Sequence, residues 1–136
     1  YKIGKDIANI DNMKILPYIY NMEEIMNISD LIVARSGAMT ITEIANLGKA
    51  SILIPLPNVS HDHQLYNARV LEKVNATKII LDKELNYENL NNTIINILQG
   101  NKIIEMGINA EKVATKDVED LIYKEIIKLV NKKEMI

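Results

Sequence analysis

Short apolar runs alternate along the chain with longer segments in which apolar residues recur every three or four positions. Three runs have the length and composition of buried parallel strands: Asp30–Ala34, Ser51–Pro55 and Lys78–Leu81. A fourth run, Lys14–Pro17, predicts a short strand that ends at its proline, because proline has no N–H to donate to a neighbouring strand.

The segments between and after these runs have the spacing of amphipathic helices. Asn21 is placed to cap a helix that continues to Ser29, and Gly48 to end a helix that begins at about Ala38. Further helices are predicted at about 63–74, 87–99, 101–114 and 117–132. The first dozen residues show little periodicity and are predicted to form a loop or the remnant of a helix.

This alternation of strands and helices predicts an α/β fold, a doubly wound parallel sheet with helices on both faces. No repeat, low-complexity tract or linker interrupts the pattern, so residues 1–136 are predicted to form a single domain. Ligands of such sheets bind at the carboxyl ends of the strands. The segments that follow Ala34 and Pro55 are therefore where we expect a binding site.

Composition narrows the class of protein. The 136 residues are 48% apolar and 25% charged, as in an ordinary soluble domain. The net charge of -2 gives no general attraction to nucleic acid or anionic lipid, and the absence of cysteine removes disulfides and thiolate metal sites. No apolar run approaches the roughly 20 residues that span a bilayer. The chain starts with tyrosine rather than methionine, so we expect a fragment of a longer protein.

The first candidate site is the turn from the second predicted strand into a helix. It places Arg35, Ser36 and Gly37 at the hand-over, where a glycine lets a ligand approach the backbone closely. The first helical amides have no acceptor within the helix and favour a phosphate: those of Ala38, Met39 and Thr40. Glu43 lies one turn further on, where a carboxylate can accept from two vicinal hydroxyls such as those of a ribose. A purely structural reading also remains open, with Ser36 as a helix cap and Glu43 as solvated surface.

The second candidate site is the polar loop that follows the next strand. His63, Gln64 and Asn67 follow one another closely, and amides that both donate and accept suit sugar hydroxyls. A metal site built from His61, Asp62 and His63 is the weaker reading, because a further ligand is not evident. A hydrolase with Ser36 as nucleophile is weaker still, since Ser36 lacks the G-x-S-x-G elbow. A plain polar surface loop is the remaining reading.

Three segments in this order and spacing, Tyr18–Met22, Ser29–Ile44 and Asp62–Ala68, resemble the C-terminal domain of MurG-type enzymes. These N-acetylglucosaminyltransferases convert lipid I to lipid II in peptidoglycan synthesis, and the resemblance covers nearly all of the chain. It implies the Rossmann-like C-terminal half of a GT-B glycosyltransferase, incomplete at its N-terminal edge because a glycine-rich loop of the family would precede Tyr1.

The resemblance also implies a role for each candidate residue in binding UDP-N-acetylglucosamine. The backbone of Ile19 would pair with the uracil, the amides of residues 38–40 would hold the diphosphate, and Glu43 would take the ribose hydroxyls. Gln64 and His63 would read the sugar, with Asn67 supporting their loop. For Arg35, contact with phosphate and ordering of the turn are both left open, as is a catalytic part. Ser36 and Gly37 belong to the same donor-binding turn.

The resemblance further implies an inverting transfer without a cofactor or a tightly bound metal, on the cytoplasmic face of the cell membrane. The lipid I acceptor and the catalytic base would belong to an N-terminal domain outside this chain, so the chain alone is expected to be inactive. A stand-alone donor-binding subunit, a UDP-sugar epimerase and a transferase for another lipid acceptor remain as alternatives.

The last predicted helix carries an apolar stripe, formed by Val118, Leu121, Ile122, Ile126 and Leu129. In two-domain transferases of this type the final helix returns toward the N-terminal domain. If it is left uncovered, the stripe favours self-association of the chain. Packing of the stripe on the domain's own sheet is an equally good reading.

Overall fold

The computed structural model describes residues 12–57, 63–115 and 118–133. Its elements in chain order are α1 (Met22–Ile28), β1 (Leu31–Ala34), α2 (Ala38–Asn46), β2 (Ala50–Leu53), α3 (His63–Lys73), β3 (Thr77–Ile79), a 3₁₀ turn (Asp82–Glu84), α4 (Tyr87–Leu98), α5 (Lys102–Glu111) and α6 (Val118–Lys133). Residues 1–11, expected to be a loop or a helix remnant, lie outside the described ranges.

The three strands form a parallel sheet in the order β1-β2-β3. Ala34, Leu53 and Ile79 are partners in the register, so the carboxyl ends of the three strands lie level with one another. Two further backbone bonds continue the ladder beyond the strands, from Ile54 N–H to the Ala34 carbonyl at 2.9 Å and from Ile80 N–H to the Leu53 carbonyl at 3.0 Å.

Helices cover both faces of β2, whose four residues are all buried. Successive side chains of a strand point to opposite faces. Leu53 therefore packs in one cluster with side chains of α1, α2, α3 and α5: Met26, Ile44, Ala45, Ala68, Leu71 and Ala110. Ile52 packs on the other face with Ile97 of α4 and Met106 of α5. This arrangement confirms the predicted α/β fold with a parallel sheet between helices.

The predicted strand Lys14–Pro17 is wrong. Residues 13–16 have no regular secondary structure, and Met13, Ile15 and Leu16 are each about half exposed. An apolar run forms a buried strand only where neighbours cover it, and the described part of the chain supplies none here. The other predicted strands and helices are present, with ends within a few residues of those expected.

Two glycines bring α5 against the turn that ends α2. Gly48 has φ +60°, a left-handed conformation that a residue with a Cβ adopts only at a cost, and its position confirms the predicted end of the helix. Gly107 lies inside α5, and a Cβ built on it would stand 2.5 Å from the Gly48 carbonyl oxygen. The close approach of the two backbones therefore requires glycine at position 107.

We predict that Gly107→Ala lowers the free energy of unfolding by about 1–3 kcal/mol, because the added methyl overpacks the contact with the Gly48 backbone. Helix propensity alone would raise it by about 0.5–1 kcal/mol, so the sign distinguishes the two effects. Urea denaturation of both proteins measures the difference. An unchanged or raised midpoint would show that the α5 contact relaxes without penalty.

Candidate functional site

The level carboxyl ends of the strands place three loops side by side. Arg35, Ser36 and Gly37 connect β1 to α2, residues 54–57 begin the connection from β2 to α3, and the 3₁₀ turn follows β3. This is the edge of a parallel sheet at which ligands bind. Most of the groups described below belong to these loops and to the first turns of α2 and α3.

The N-terminus of α2 is open. Gly37 is its N-cap residue, with φ −63° and ψ 152°, and makes no side-chain cap; the helix begins with a bond from Ile41 N–H to the Gly37 carbonyl at 3.0 Å. The amides of Ala38, Met39 and Thr40 donate to no acceptor within the described residues, and the first turn carries no acidic residue. Unsatisfied amides and the helix dipole together favour a bound anion.

The space in front of Gly37 is also open. A Cβ built on this residue would meet only the Thr40 Oγ1 within 4 Å, at 3.9 Å, and the φ angle is one that any residue adopts. Neither the backbone conformation nor the packing of the described chain requires glycine here. The absent side chain leaves room for a ligand to reach the backbone at this turn.

Ser36 is fully buried and does not cap α2, which corrects the structural reading of this residue. Its hydroxyl donates to the Gln64 carbonyl at 2.7 Å, and its own carbonyl accepts from the Asn67 side-chain amide at 3.2 Å. These two bonds join the turn before α2 to the first turn of α3. The residues that the sequence placed in two separate candidate sites therefore form one connected group.

A hydrogen bond to its oxygen atom fixes the Gln64 side chain. Oε1 accepts from the Leu56 backbone N–H at 3.0 Å, which identifies the oxygen end of the amide, because a backbone N–H needs an acceptor. Nε2 has no partner among the described residues. Gln64 therefore presents hydrogen-bond donors, rather than both functions of its amide, to a ligand at this edge.

Arg35 links all three loops. Its Nη1 donates to the Ile54 carbonyl at 3.2 Å and lies 2.5 Å from Oδ1 of Asp82 in the 3₁₀ turn. Both side chains are partly exposed, at 45% and 38%, so solvent screens the ion pair and its main effect is geometric. The sequence reasoning missed Asp82; its position directly after the third strand, at the predicted binding edge, was the available signal.

The remaining candidates take no part in the bonds described above. The Glu43 side chain is exposed on α2 and makes no hydrogen bond or ion pair within the described ranges. The backbone of Ile19, in the irregular segment before α1, makes no hydrogen bond there either. The Met39 side chain is 76% exposed, so the fold leaves it largely uncovered. His63 is the first residue of α3, with an exposed side chain.

The weaker interpretation of the polar loop was a metal site. Among the described residues, no three His, Asp or Glu side chains are grouped so as to hold a metal ion. His61 and Asp62, which the metal reading requires, lie outside the described ranges. In the same described part of the chain, no helix is long and apolar enough to cross a membrane.

Comparison with known proteins identifies relatives of this site-bearing domain. Residues 2–122 match the family described as the glycosyltransferase family 28 C-terminal domain. A UDP-N-acetylglucosamine--N-acetylmuramyl-(pentapeptide) pyrophosphoryl-undecaprenol N-acetylglucosamine transferase of Thermoanaerobacter sp. (strain X514) is 42% identical over 125 residues, which cover 90% of this chain and 34% of the relative. The transferase of the same name from Acetivibrio thermocellus is also 42% identical, over 96% of this chain and 35% of its own length.

A solved structure agrees with these relatives. The crystal structure of MurG from Acinetobacter baumannii superimposes with a TM-score of 0.79 at 32% sequence identity, over 85% of this chain and 35% of that protein. The chain thus spans about a third of the length of the curated relatives it matches. Because the family match extends over most of the sequence and the folds agree, the chain belongs to glycosyltransferase family 28, in which it corresponds to the C-terminal domain.

Proposed function

We propose that this chain is the donor-binding domain of an inverting N-acetylglucosaminyltransferase that converts lipid I to lipid II in peptidoglycan synthesis, and so serves cell-wall growth, cell shape and division. The observation that carries the proposal is the uncapped N-terminus of α2, which opens beside Gly37 at the carboxyl edge of the sheet. The names of the relatives support UDP-N-acetylglucosamine as the donor and the undecaprenol-linked muramyl pentapeptide as the acceptor.

The diphosphate of the donor occupies the open end of α2. The amides of residues 38–40 are fixed by the helix before the ligand arrives, so they donate to the diphosphate without reorganisation. In an inverting transfer the acceptor hydroxyl attacks the anomeric carbon while UDP leaves from the opposite face. Negative charge then grows on the leaving diphosphate, where the helix N-terminus stabilises it.

The nucleoside and the sugar extend from the diphosphate in opposite directions. The Glu43 side chain, exposed and without a partner in the described structure, accepts from the ribose hydroxyls, and the backbone of Ile19 pairs with the uracil. The Nε2 donors of Gln64 read oxygen atoms of the sugar, with His63 beside it and Asn67 holding the loop through the Ser36 carbonyl.

The acceptor half of the reaction lies beyond these residues. The relatives are about three times as long as this chain, and we assign the lipid I site and the catalytic base to the rest of such a protein, bound to the inner face of the cell membrane. The chain by itself therefore binds the donor without transferring the sugar. Arg35 orders the three loops at the donor site.

The direct test is a titration of UDP and UDP-N-acetylglucosamine into the chain, followed by amide NMR. We expect UDP to shift the resonances of residues 38–40 and Glu43, and the sugar nucleotide to shift those of Gln64 in addition. If neither region responds at millimolar ligand, the donor-site assignment is wrong.

We also propose that α6 associates with a second copy of the chain when nothing else covers it. The side chains of Ile122, Ile126, Leu129 and Val130 are each about half exposed or more and recur at three- and four-residue steps, which makes one apolar face. Val118 and Leu121, also expected in this stripe, have side chains outside the described part of the structure.

Gly37→Ser is predicted to stabilise the fold and weaken UDP binding. A serine at this N-cap accepts from an amide of the first turn, which raises the free energy of unfolding by a few tenths of a kcal/mol. The same bond removes a donor from the diphosphate and lowers UDP affinity by about tenfold. Urea denaturation and calorimetric titration measure the two effects.

Because Gly37→Ser should raise the free energy of unfolding while it lowers UDP affinity, unfolding would not explain the loss of binding. Asn86→Ala serves as the control, because it removes the cap of α4, a bond from Asn89 N–H to Asn86 Oδ1 at 2.9 Å, and should lower stability without changing UDP affinity. Full UDP affinity in a stabilised Gly37→Ser protein would place the diphosphate elsewhere.

Glu43→Ala is predicted to weaken UDP binding by about 1–3 kcal/mol, because the ribose hydroxyls lose their charged acceptor. Comparison with 2′-deoxy-UDP sharpens the test: the native chain should prefer UDP, and the variant should bind the two nucleotides alike. Glu72→Ala removes the same charge from the exposed face of α3 and is the control. Equal UDP binding by the Glu43 variant would make Glu43 a surface residue.

The association of α6 with a second copy is tested by sedimentation velocity. The native chain should show an average mass that rises with protein concentration. Replacing Ile126 and Leu129 together with glutamate places charge in the apolar face and should leave a monomer at all concentrations. Lys124→Glu changes the surface charge of the same helix and should preserve the association. A native chain that stays monomeric at high concentration refutes this proposal.

A further inference from the structure

We propose that Ser36 is a positioning residue for sugar recognition: its buried hydroxyl holds Gln64 at a fixed place relative to the diphosphate site. The inference rests on the proposed function and adds a residue that touches no ligand. It starts from one juxtaposition, in which Ser36 directly precedes the open turn at Gly37 and also bonds to the first turn of α3.

The contact between Ser36 and Gln64 is buried on the Ser36 side and partly exposed on the Gln64 side. Ser36 has no exposed surface, and its Oγ lies 2.7 Å from the Gln64 carbonyl oxygen, a normal length for a hydroxyl donor. A second hydrogen bond joins the same two turns, because the Asn67 side-chain amide donates to the Ser36 carbonyl at 3.2 Å. Because the Ser36 hydroxyl is buried, water competes little for its bond, which favours one separation of the two turns.

Gln64 is held at both ends by this arrangement. Ser36 fixes its backbone, and the Leu56 N–H fixes its side-chain oxygen, so Nε2 is left as the group that faces a ligand. Covalent bonds fix the distance between the diphosphate and the sugar that is joined to it. The Nε2 donors reach the sugar oxygens only when the turn before α2 and the first turn of α3 lie at the right distance from each other. The bond between Ser36 and Gln64 therefore acts by orienting Gln64 rather than by binding the sugar itself.

Loss of the Ser36 hydroxyl should affect position more than stability. As a residue of α3, Gln64 also directs its carbonyl toward the amide four residues later, so the oxygen keeps a helical donor when the hydroxyl is removed. The amides of residues 38–40 and the ribose acceptor Glu43 belong to α2 and do not depend on this bond. UDP binding should therefore survive a change that impairs recognition of the sugar.

The experiment measures the dissociation constants of UDP and UDP-N-acetylglucosamine for the 136-residue chain, and their ratio reports the contribution of the sugar. For Ser36→Ala we expect UDP affinity within about twofold of the native value and a loss of about fivefold or more in the preference for the sugar nucleotide, the equivalent of one hydrogen bond. The Gln64 side-chain amide resonance should respond to the sugar nucleotide in the native chain and not in the variant.

Two further proteins separate positioning from general destabilisation. Thr77→Val removes another buried hydroxyl, which donates to the Ser51 carbonyl at 3.0 Å between β3 and β2, and should lower stability while keeping the native ratio. Gln64→Glu keeps the acceptor for Leu56 but has no donors, so it should lose the preference by itself. Ser36→Ala added to Gln64→Glu should then change the ratio no further.

The outcomes are distinct. If Ser36→Ala weakens UDP and the sugar nucleotide by the same factor, or leaves the ratio at its native value, Ser36 does not position Gln64. Independent, additive losses in the double variant overturn the inference as well. If the native chain binds UDP but shows no preference for the sugar nucleotide, the assignment of Gln64 to the sugar fails, and the inference fails with it.

Discussion

Parallel pairing of β2 with both of its neighbours is the constraint on which the candidate site depends. The register sets Ala34, Leu53 and Ile79 in one row, so the three connections to the following helices leave the sheet at the same edge. Segments nearly fifty residues apart in sequence, such as Arg35 and Asp82, meet there without any loop having to cross the domain. The core clusters on both faces fix the sheet, and the sheet fixes the loops.

The end of β1 uses two consecutive residues in two different ways. Arg35 is exposed and connects the edge loops to one another through the Ile54 carbonyl and Asp82. Ser36 is buried and connects the turn to α3 through Gln64. Neighbouring side chains in extended backbone point to opposite sides, so one short turn is braced against both the surface loops and the interior. The amides that begin α2 follow directly from this braced turn.

Most of the helices and strands could be predicted from the sequence, because the spacing of apolar residues indicates which side chains are buried in the core. Lys14–Pro17 shows where that reasoning fails: its side chains are apolar but about half exposed, since no described neighbour covers them. The two candidate segments were also visible in the sequence as polar residues that follow buried strands. Their connection was not, because the bond between Ser36 and Gln64 spans 28 positions and depends on the register of the sheet.

The roles of individual polar atoms were likewise beyond the sequence. A glutamine both donates and accepts, and only the Leu56 N–H at 3.0 Å shows that the oxygen is already engaged. A serine before a glycine and a helix suggests a cap, yet the helix starts one residue later and the hydroxyl turns inward. In each case the amino acid has several possible partners, and the tertiary structure selects one of them.

The open end of α2 has a physical cost that another helix of the domain, α4, avoids. α4 also begins after a strand of this sheet, and Asn86 caps it by accepting from the Asn89 amide. At α2 the corresponding position is glycine, and the first amides are left to solvent or to a ligand. A capping side chain there would stabilise the helix and at the same time take the donors that an anion would use. Stability of the isolated domain and affinity for a diphosphate are thus opposed at Gly37, and the uncapped helix favours binding.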